Sequence, residues 1–191
     1  MAGVAGPMLT RSRSEGARFL TGLFAGEVFA ATLMSLVVYV IGAGLTLLVP
    51  HTGLQVVMAV VAVVLGVADL LNRTPHIWRQ VPQSLVRTHP PGMLGLTWGF
   101  DLALLFTTQK STSLTWAALA AALLLHPSFS WLYLVGMTVV GVLTIALRSV
   151  TWNFVPLSEF GDRLQPWFVP MRRTAGALLV VVGVLTAAGT W

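Results

Sequence analysis

The sequence predicts an all-α fold: a polytopic transmembrane helix bundle of about five to six spans, with an internal repeat and broken long helices. Three observations lead to this prediction. The chain is 56% hydrophobic and only 9% charged, whereas soluble proteins carry about 25% charged residues. Its apolar segments are long enough to cross a bilayer. Finally, two short motifs each occur twice, at nearly constant spacing along the chain.

Five apolar segments are separated by turns or polar loops. In chain order they are Glu15–Val49, Leu54–Leu71, Gly92–Pro127, Trp131–Val150 and Arg172–Trp191. Residues 1–14 are expected to be a cytoplasmic tail, and residues 15–191 a single transmembrane domain. The intervening loop 72–91 has four Pro and three Arg, and the loop 151–170 is polar and contains Pro and Trp, which favours irregular structure.

The segment Gly92–Pro127 is too long for one simple span. As a straight helix it would measure about 50 Å, while the hydrocarbon core is about 30 Å thick. Its centre, Thr107–Thr112, is polar. We therefore predict either one crossing interrupted by a break or a re-entrant half followed by a span.

Two motifs suggest an internal repeat. Gly22-x-x-x-Gly26 is matched by Gly95-x-x-x-Gly99, and the pattern Trp-x-x-Val-Pro-x-Ser begins at both Trp78 and Trp152. The predicted repeat units are about 15–91 and 92–170, followed by an extra C-terminal helix, 171–191.

The basic residues predict the orientation. The formal net charge is +5, and Arg residues enriched beside spans mark the cytoplasmic side. If each long segment crosses once, every Arg lies inside, so the N-terminus is predicted to be cytoplasmic and the protein to be a multipass plasma-membrane protein. The bilayer is its expected surrounding, and nucleic acid is not an expected partner.

Ionisable residues at membrane depth mark the candidate site, because charge in lipid is costly and usually faces a cavity or a partner. Hydroxyl and amide groups near a helix break can hold a cation, or bind an oxyanion at the start of a half-helix. The predicted substrate-binding residues are Asp101, Thr107, Thr108, Gln109, Lys110 and Thr112, opposed by Glu27 and Thr32. The other interpretation is structural: the acids cap or snorkel, and the polar run is a packed kink. Asp69 is a further acidic residue near membrane depth.

No cofactor is expected. Cysteine is absent, which excludes thiolate chemistry carried by this chain. His51 and His126 lie at the turns that end the long segments, and His76 and His89 lie in a loop, so no haem or metal is predicted. No catalytic motif is present either, and the chain is more readily interpreted as a protein without enzymatic activity.

The order of Gly-x-x-x-Gly, polar break, small-residue apolar run, short loop and Gly-rich helix resembles the membrane domain of the CcdA/DsbD cytochrome c biogenesis proteins, of the LysE-type transporter superfamily. The resemblance covers about residues 18–71 and 92–150. It implies an architecture with a site at paired helix breaks. That family has a Pro-Cys at each break and inverted three-helix units. The matching positions here, 27–32 and 107–112, have neither Pro nor Cys, and the Arg distribution predicts parallel two-helix units. Thiol electron transfer is therefore not implied.

Two functions follow as hypotheses. The first is transport of a small solute or ion through a midplane polar site at the paired breaks. The second is a non-catalytic membrane subunit that scaffolds a larger redox or biogenesis complex. Oligomerisation, or docking of other membrane subunits on the cytoplasmic loops, is expected through Trp78, Pro82, Trp152 and Pro156.

Overall fold

The computed structural model describes residues 12–75, 85–104, 112–151 and 157–189. Every secondary-structure element within these ranges is helical. The helices are α1 (Arg13–Leu48), α2 (His51–Leu70), α3 (Leu85–Thr88), α4 (Pro91–Ala103), α5 (Leu114–Leu124), a 3-10 turn (Pro127–Phe129), α6 (Ser130–Thr151) and α7 (Leu157–Ala187).

Within the described residues, four helices are long and apolar enough to cross a membrane. They cover Arg13–Leu48, His51–Leu70, Pro127–Leu147 and Gln165–Ala187. The chain is thus an all-α protein with the helices of a membrane protein, as the composition predicts. The helices α4 and α5, with 13 and 11 residues, are shorter.

The first long segment has no break. The helix α1 runs through 36 residues, about 54 Å at 1.5 Å per residue, and continues through Glu27–Thr32, where a break was predicted. The segment contains no Pro, and its hydroxyl groups bond within the helix: Thr32 Oγ1 donates to the Val28 carbonyl and Ser35 Oγ to the Thr32 carbonyl. Nothing in this stretch therefore interrupts the backbone ladder.

The last helix is longer than predicted. It begins at Leu157 and includes Pro166 and Pro170, although the stretch before residue 171 was expected to be a loop. Pro lacks an N–H group and usually ends or kinks a helix. A Pro leaves the carbonyl four residues before it without its helical N–H donor, and in membrane helices neighbouring helices or polar side chains can satisfy such a group.

The chain forms two compact units that interleave along the sequence. The first consists of Met1–Ser35, Ile77–Thr108 and Trp131–Asp162, and the second of Leu36–His76, Gln109–Ser130 and Arg163–Trp191. These boundaries differ from those of the predicted repeat units, and α1 contributes to both compact units.

In the first unit, α1 and α4 cross at two glycine pairs. A Cβ on Gly22 would overlap the Gly92 carbonyl oxygen, and one on Gly26 would overlap that of Leu96. In the other direction, a Cβ on Gly95 would meet the Phe19 carbonyl, and one on Gly99 that of Leu23. Later residues of α1 face later residues of α4, so the two helices run parallel. Their backbones are in direct contact.

In the second unit, α2 packs against α7 and α5. A Cβ built on Gly66 would lie 2.7 Å from the Gly176 carbonyl oxygen, and one on Gly176 would lie 2.6 Å from the Gly66 oxygen. Further along, Gly183 faces the Ala59 carbonyl, so α2 and α7 are antiparallel. The apolar core includes Ala62 of α2 and Ala117 of α5.

Candidate functional site

The predicted site residues fall into two groups. Thr107, Thr108, Gln109 and Lys110 lie outside the described residues. Glu27, Thr32, Asp101 and Thr112 are described, and the first three belong to the first unit, whereas Thr112 belongs to the second. The two carboxylates of the first unit, Glu27 and Asp101, are therefore the acidic residues of the predicted site that the structure describes.

Glu27 is a buried acid beside the glycine crossing. It is only 6% exposed, and its backbone nitrogen would lie 2.9 Å from a Cβ on Gly99. The close approach of α1 and α4 at Gly99 thus brings α4 directly against the turn that carries Glu27. Burial of a carboxylate is costly unless polar or charged groups compensate it, and Glu27 does have an interaction partner.

Asp101 lies at nearly the same level on α4. Gly99 faces Leu23 and Glu27, and Asp101 follows Gly99 by two residues, about 3 Å along the axis. It is half-buried and, like Glu27, has an interaction partner. The parallel crossing therefore places the two acids at one height on neighbouring helices.

Both acids also lie on the same side of the crossing. At about 100° per residue, Glu27 continues the face of Phe19 and Leu23, and Asp101 continues the face of Leu94 and Trp98. Those four apolar residues are buried and form one cluster. The carboxylates thus lie one turn beyond this cluster, on its side of the helix pair.

The apolar cluster, which precedes the two acids along both helices, contains two aromatic side chains. The rings of Phe19 and Trp98 meet edge to face, with centroids 6.1 Å apart and an interplanar angle of 84°. Trp98 is 1% exposed, and its Nε1 has no hydrogen-bond partner among the described residues. A buried donor without a partner is uncommon.

Thr32 lies away from this group. It is five residues after Glu27, which places it about 140° around the helix at 100° per residue, and its side chain is exposed. Its hydroxyl donates to the Val28 carbonyl at 2.8 Å. Thr112 is half-buried in the second unit.

A polar cluster that the sequence did not predict is centred on Asp69, which is fully buried. Its Oδ1 accepts hydrogen bonds from Thr74 Oγ1 and Ser113 Oγ, each at 2.7 Å. Its Oδ2 accepts one from the backbone N–H of Ser113, also at 2.7 Å. Nearby, Trp116 Nε1 donates to the Pro75 carbonyl at 3.0 Å. The end of α2 and the segment after it are therefore joined to the start of α5.

The Asp69 cluster gives a role to the helix start that was expected to attract an anion. The helix α5 begins at Leu114, directly after Ser113, and backbone N–H groups at a helix start favour negative charge. In this structure the anion is the carboxylate of Asp69, from the same chain. An acid at the end of one apolar helix and a Ser-Thr pair at the start of another are the signals that could have suggested this contact.

No group of three or more His, Cys, Asp or Glu side chains able to hold a metal ion occurs in the described part of the chain. His51 and His126 are exposed at helix ends. The four loop residues proposed for docking, Trp78, Pro82, Trp152 and Pro156, lie outside the described residues.

No protein-family model matches the sequence, and neither curated proteins nor solved structures give a significant match. The resemblance to the CcdA/DsbD membrane domain therefore stays a prediction. What the fold defines is the class: an all-helical protein with helices suited to a membrane.

Proposed function

We propose that the protein transports a small cationic solute or ion through a polar site formed at the level of Glu27 and Asp101. The observation that carries the proposal is the burial of Glu27, 6% exposed, at a backbone-to-backbone helix crossing that also carries Asp101. Carboxylates kept in the apolar part of a helical membrane protein commonly mark the path of an ion or proton.

The surroundings of Glu27 support a location in lipid. The large side chains Phe24 and Phe29, one turn before it and two residues after it, are 43% and 60% exposed. Exposed aromatic surface on both sides of a buried acid is expected where the outer face of the helix meets acyl chains and the inner face holds the polar group.

Two carboxylates favour a cation as the substrate. Their negative charge attracts a cation and repels an anion, and the effect is stronger at the low dielectric of a helix interior. Lys110, Thr107 and Thr108, which the sequence predicts as part of the same site, lie outside the described residues.

The lengths of α4 and α5 support one interrupted crossing. With 13 and 11 residues, the two helices measure about 20 and 17 Å, and each is too short to cross a core of about 30 Å. We therefore retain a single crossing with a break after Ala103, and an internal repeat whose first unit has an unbroken helix.

The test is flux in proteoliposomes. The wild-type protein, reconstituted in vesicles, is compared with Glu27→Gln and Asp101→Asn, which keep side-chain size and remove charge. Glu15→Gln in the first turn of α1 is the matched control. A panel of protons, alkali cations and small organic cations is offered.

We expect the wild type to carry at least one cation faster than protein-free vesicles, and each site variant to lose about tenfold, the factor that corresponds to 1.4 kcal/mol. The control should retain the wild-type rate. Equal flux in the wild type and in a Glu27→Gln, Asp101→Asn double variant would contradict the proposed site. Absence of any cation flux, with the protein purified in fixed stoichiometry with another membrane subunit, would favour the scaffold function instead.

A further inference from the structure

A groove lies on the other side of the α1–α4 crossing from the two carboxylates. It has a volume of about 540 Å³ and is lined by Ala17, Arg18, Gly22 and Ala25 of α1 and by Gly92 and Met93 of α4. This volume is within the range of ligand-binding pockets, about 300–1,000 Å³. The groove exists because small residues line both helices where they meet.

The wall of the groove is apolar apart from one cation. Thr21 also contributes to the lining, but its hydroxyl donates to the Ala17 carbonyl at 2.8 Å, which leaves its methyl group for the groove. Arg18 is exposed and is the only charged residue among the described residues that line the groove. One end of the groove is therefore positive and the rest is suited to hydrocarbon.

The direction of the groove follows from the helix. Arg18 and Ala25 are seven residues apart on α1, about 10 Å along its axis. Arg18 lies toward the end of the helix that also carries Arg13, which is the cytoplasmic end in the predicted topology, and Ala25 lies toward the apolar part. A molecule in this groove would need an anionic group at the membrane surface and a hydrocarbon chain directed into the membrane.

We propose that this groove binds an anionic phospholipid, with the phosphate at Arg18 and one acyl chain along Gly22, Ala25, Gly92 and Met93. Basic pockets between transmembrane helices on the cytoplasmic side bind anionic lipid headgroups in this way. The guanidinium group suits phosphate because its N–H groups match two phosphate oxygens. A helix from a second copy is the other occupant that the experiment tests.

The experiment measures lipid retention by native mass spectrometry of the full-length protein in mild detergent. Phosphatidylglycerol and phosphatidylcholine with the same acyl chains are titrated onto the wild type, Arg18→Ala and Ala25→Trp. Arg13→Ala is the matched control, because Arg13 is an exposed basic residue of the same helix that does not line the groove. Inorganic phosphate is added as a competitor, and thermal unfolding confirms that each variant is folded.

We expect phosphatidylglycerol to be retained in preference to phosphatidylcholine, and Arg18→Ala to reduce its retention about fivefold, as for the loss of one basic residue at an anionic surface. Arg13→Ala should bind like the wild type. Ala25→Trp should reduce retention of both lipids because the indole fills the groove, and phosphate should not compete.

Three results would overturn the proposal. They are unchanged phosphatidylglycerol retention in Arg18→Ala, unchanged retention of both lipids in Ala25→Trp, and conversion of a wild-type dimer to a monomer by Ala25→Trp with lipid binding intact. The last would assign the groove to a second copy of the chain. None of these depends on transport, so the lipid site and the proposed function succeed or fail separately.

Discussion

The carboxylate of Asp69 accepts the backbone N–H of Ser113 at 2.7 Å, which joins the end of α2 to the residue directly before α5. Asp69 is fully buried and accepts three hydrogen bonds, from Thr74 Oγ1 and from Ser113 Oγ and N–H, all of which are lost when its carboxylate is removed. Hydrogen bonds to a charged group contribute about 1.5–3 kcal/mol each.

We therefore expect Asp69→Ala to lower the free energy of unfolding by about 3 kcal/mol or more, measured by reversible unfolding in mixed micelles. Thr74→Val should cost less, because it removes one of the three bonds. A double-mutant cycle with Ser113→Ala should show coupling between the two positions. Additive effects of Asp69→Ala and Ser113→Ala would contradict a shared cluster.

The glycine crossing of α1 and α4 predicts a second effect on stability. In Gly99→Ala the added methyl group would overlap the Leu23 carbonyl, so the helices must move apart. Overpacking of this kind costs about 1–3 kcal/mol. Gly44→Ala in α1 is the control, since a Cβ there meets nothing within 4 Å and Ala favours the helix. If the two substitutions had equal effects on the unfolding free energy, the crossing would not be as close as described.

Substitutions of Trp98 test whether its buried indole nitrogen makes a hydrogen bond. Because Nε1 has no acceptor among the described residues, Trp98→Phe removes no hydrogen bond there, and its cost should come only from the smaller ring and be well below that of Trp98→Ala. Trp98→Ala removes the packing against Phe19 and should cost about 3–5 kcal/mol. Comparable losses for Phe and Ala, measured by unfolding in micelles, would indicate that the nitrogen has a bonding partner.

The orientation can be tested directly because the chain contains no cysteine. A single Cys introduced at Ser14, near the start of α1, should be protected from a membrane-impermeant maleimide in intact cells and become reactive after permeabilisation. A single Cys at His51, which is exposed at the start of α2, should react in intact cells. The reverse pattern would show that the Arg distribution does not set the topology.

Composition and segment length predicted the helical membrane fold, because both depend on local apolar content. They did not predict that α1 continues through Glu27–Thr32 or that α7 continues through Pro166 and Pro170. The tertiary surroundings of a helix commonly override its local propensity, and sequence patterns do not report those surroundings.

For the candidate site, the sequence identified Glu27 and Asp101 as acids at membrane depth but not their relationship. Their common level and side depend on the register of α1 and α4, which is set by glycine contacts between residues distant in the chain. The Asp69 cluster was not predicted for the same reason, since Asp69 and Ser113 are brought together only by the packing of α2 and α5. The internal repeat stays a prediction, and the glycine match is weak support for it, because a close crossing requires glycine on both helices whatever their origin.

The same crossing limits how copies of this protein can associate. Gly-x-x-x-Gly surfaces are the usual means by which two membrane helices from separate chains pair, and this chain has one on α1 and one on α4. Each of these two glycine surfaces is already covered by the other. The contacts are reciprocal, as in a homodimer interface, but both helices belong to one chain. Assembly of this protein with itself must therefore use a different surface.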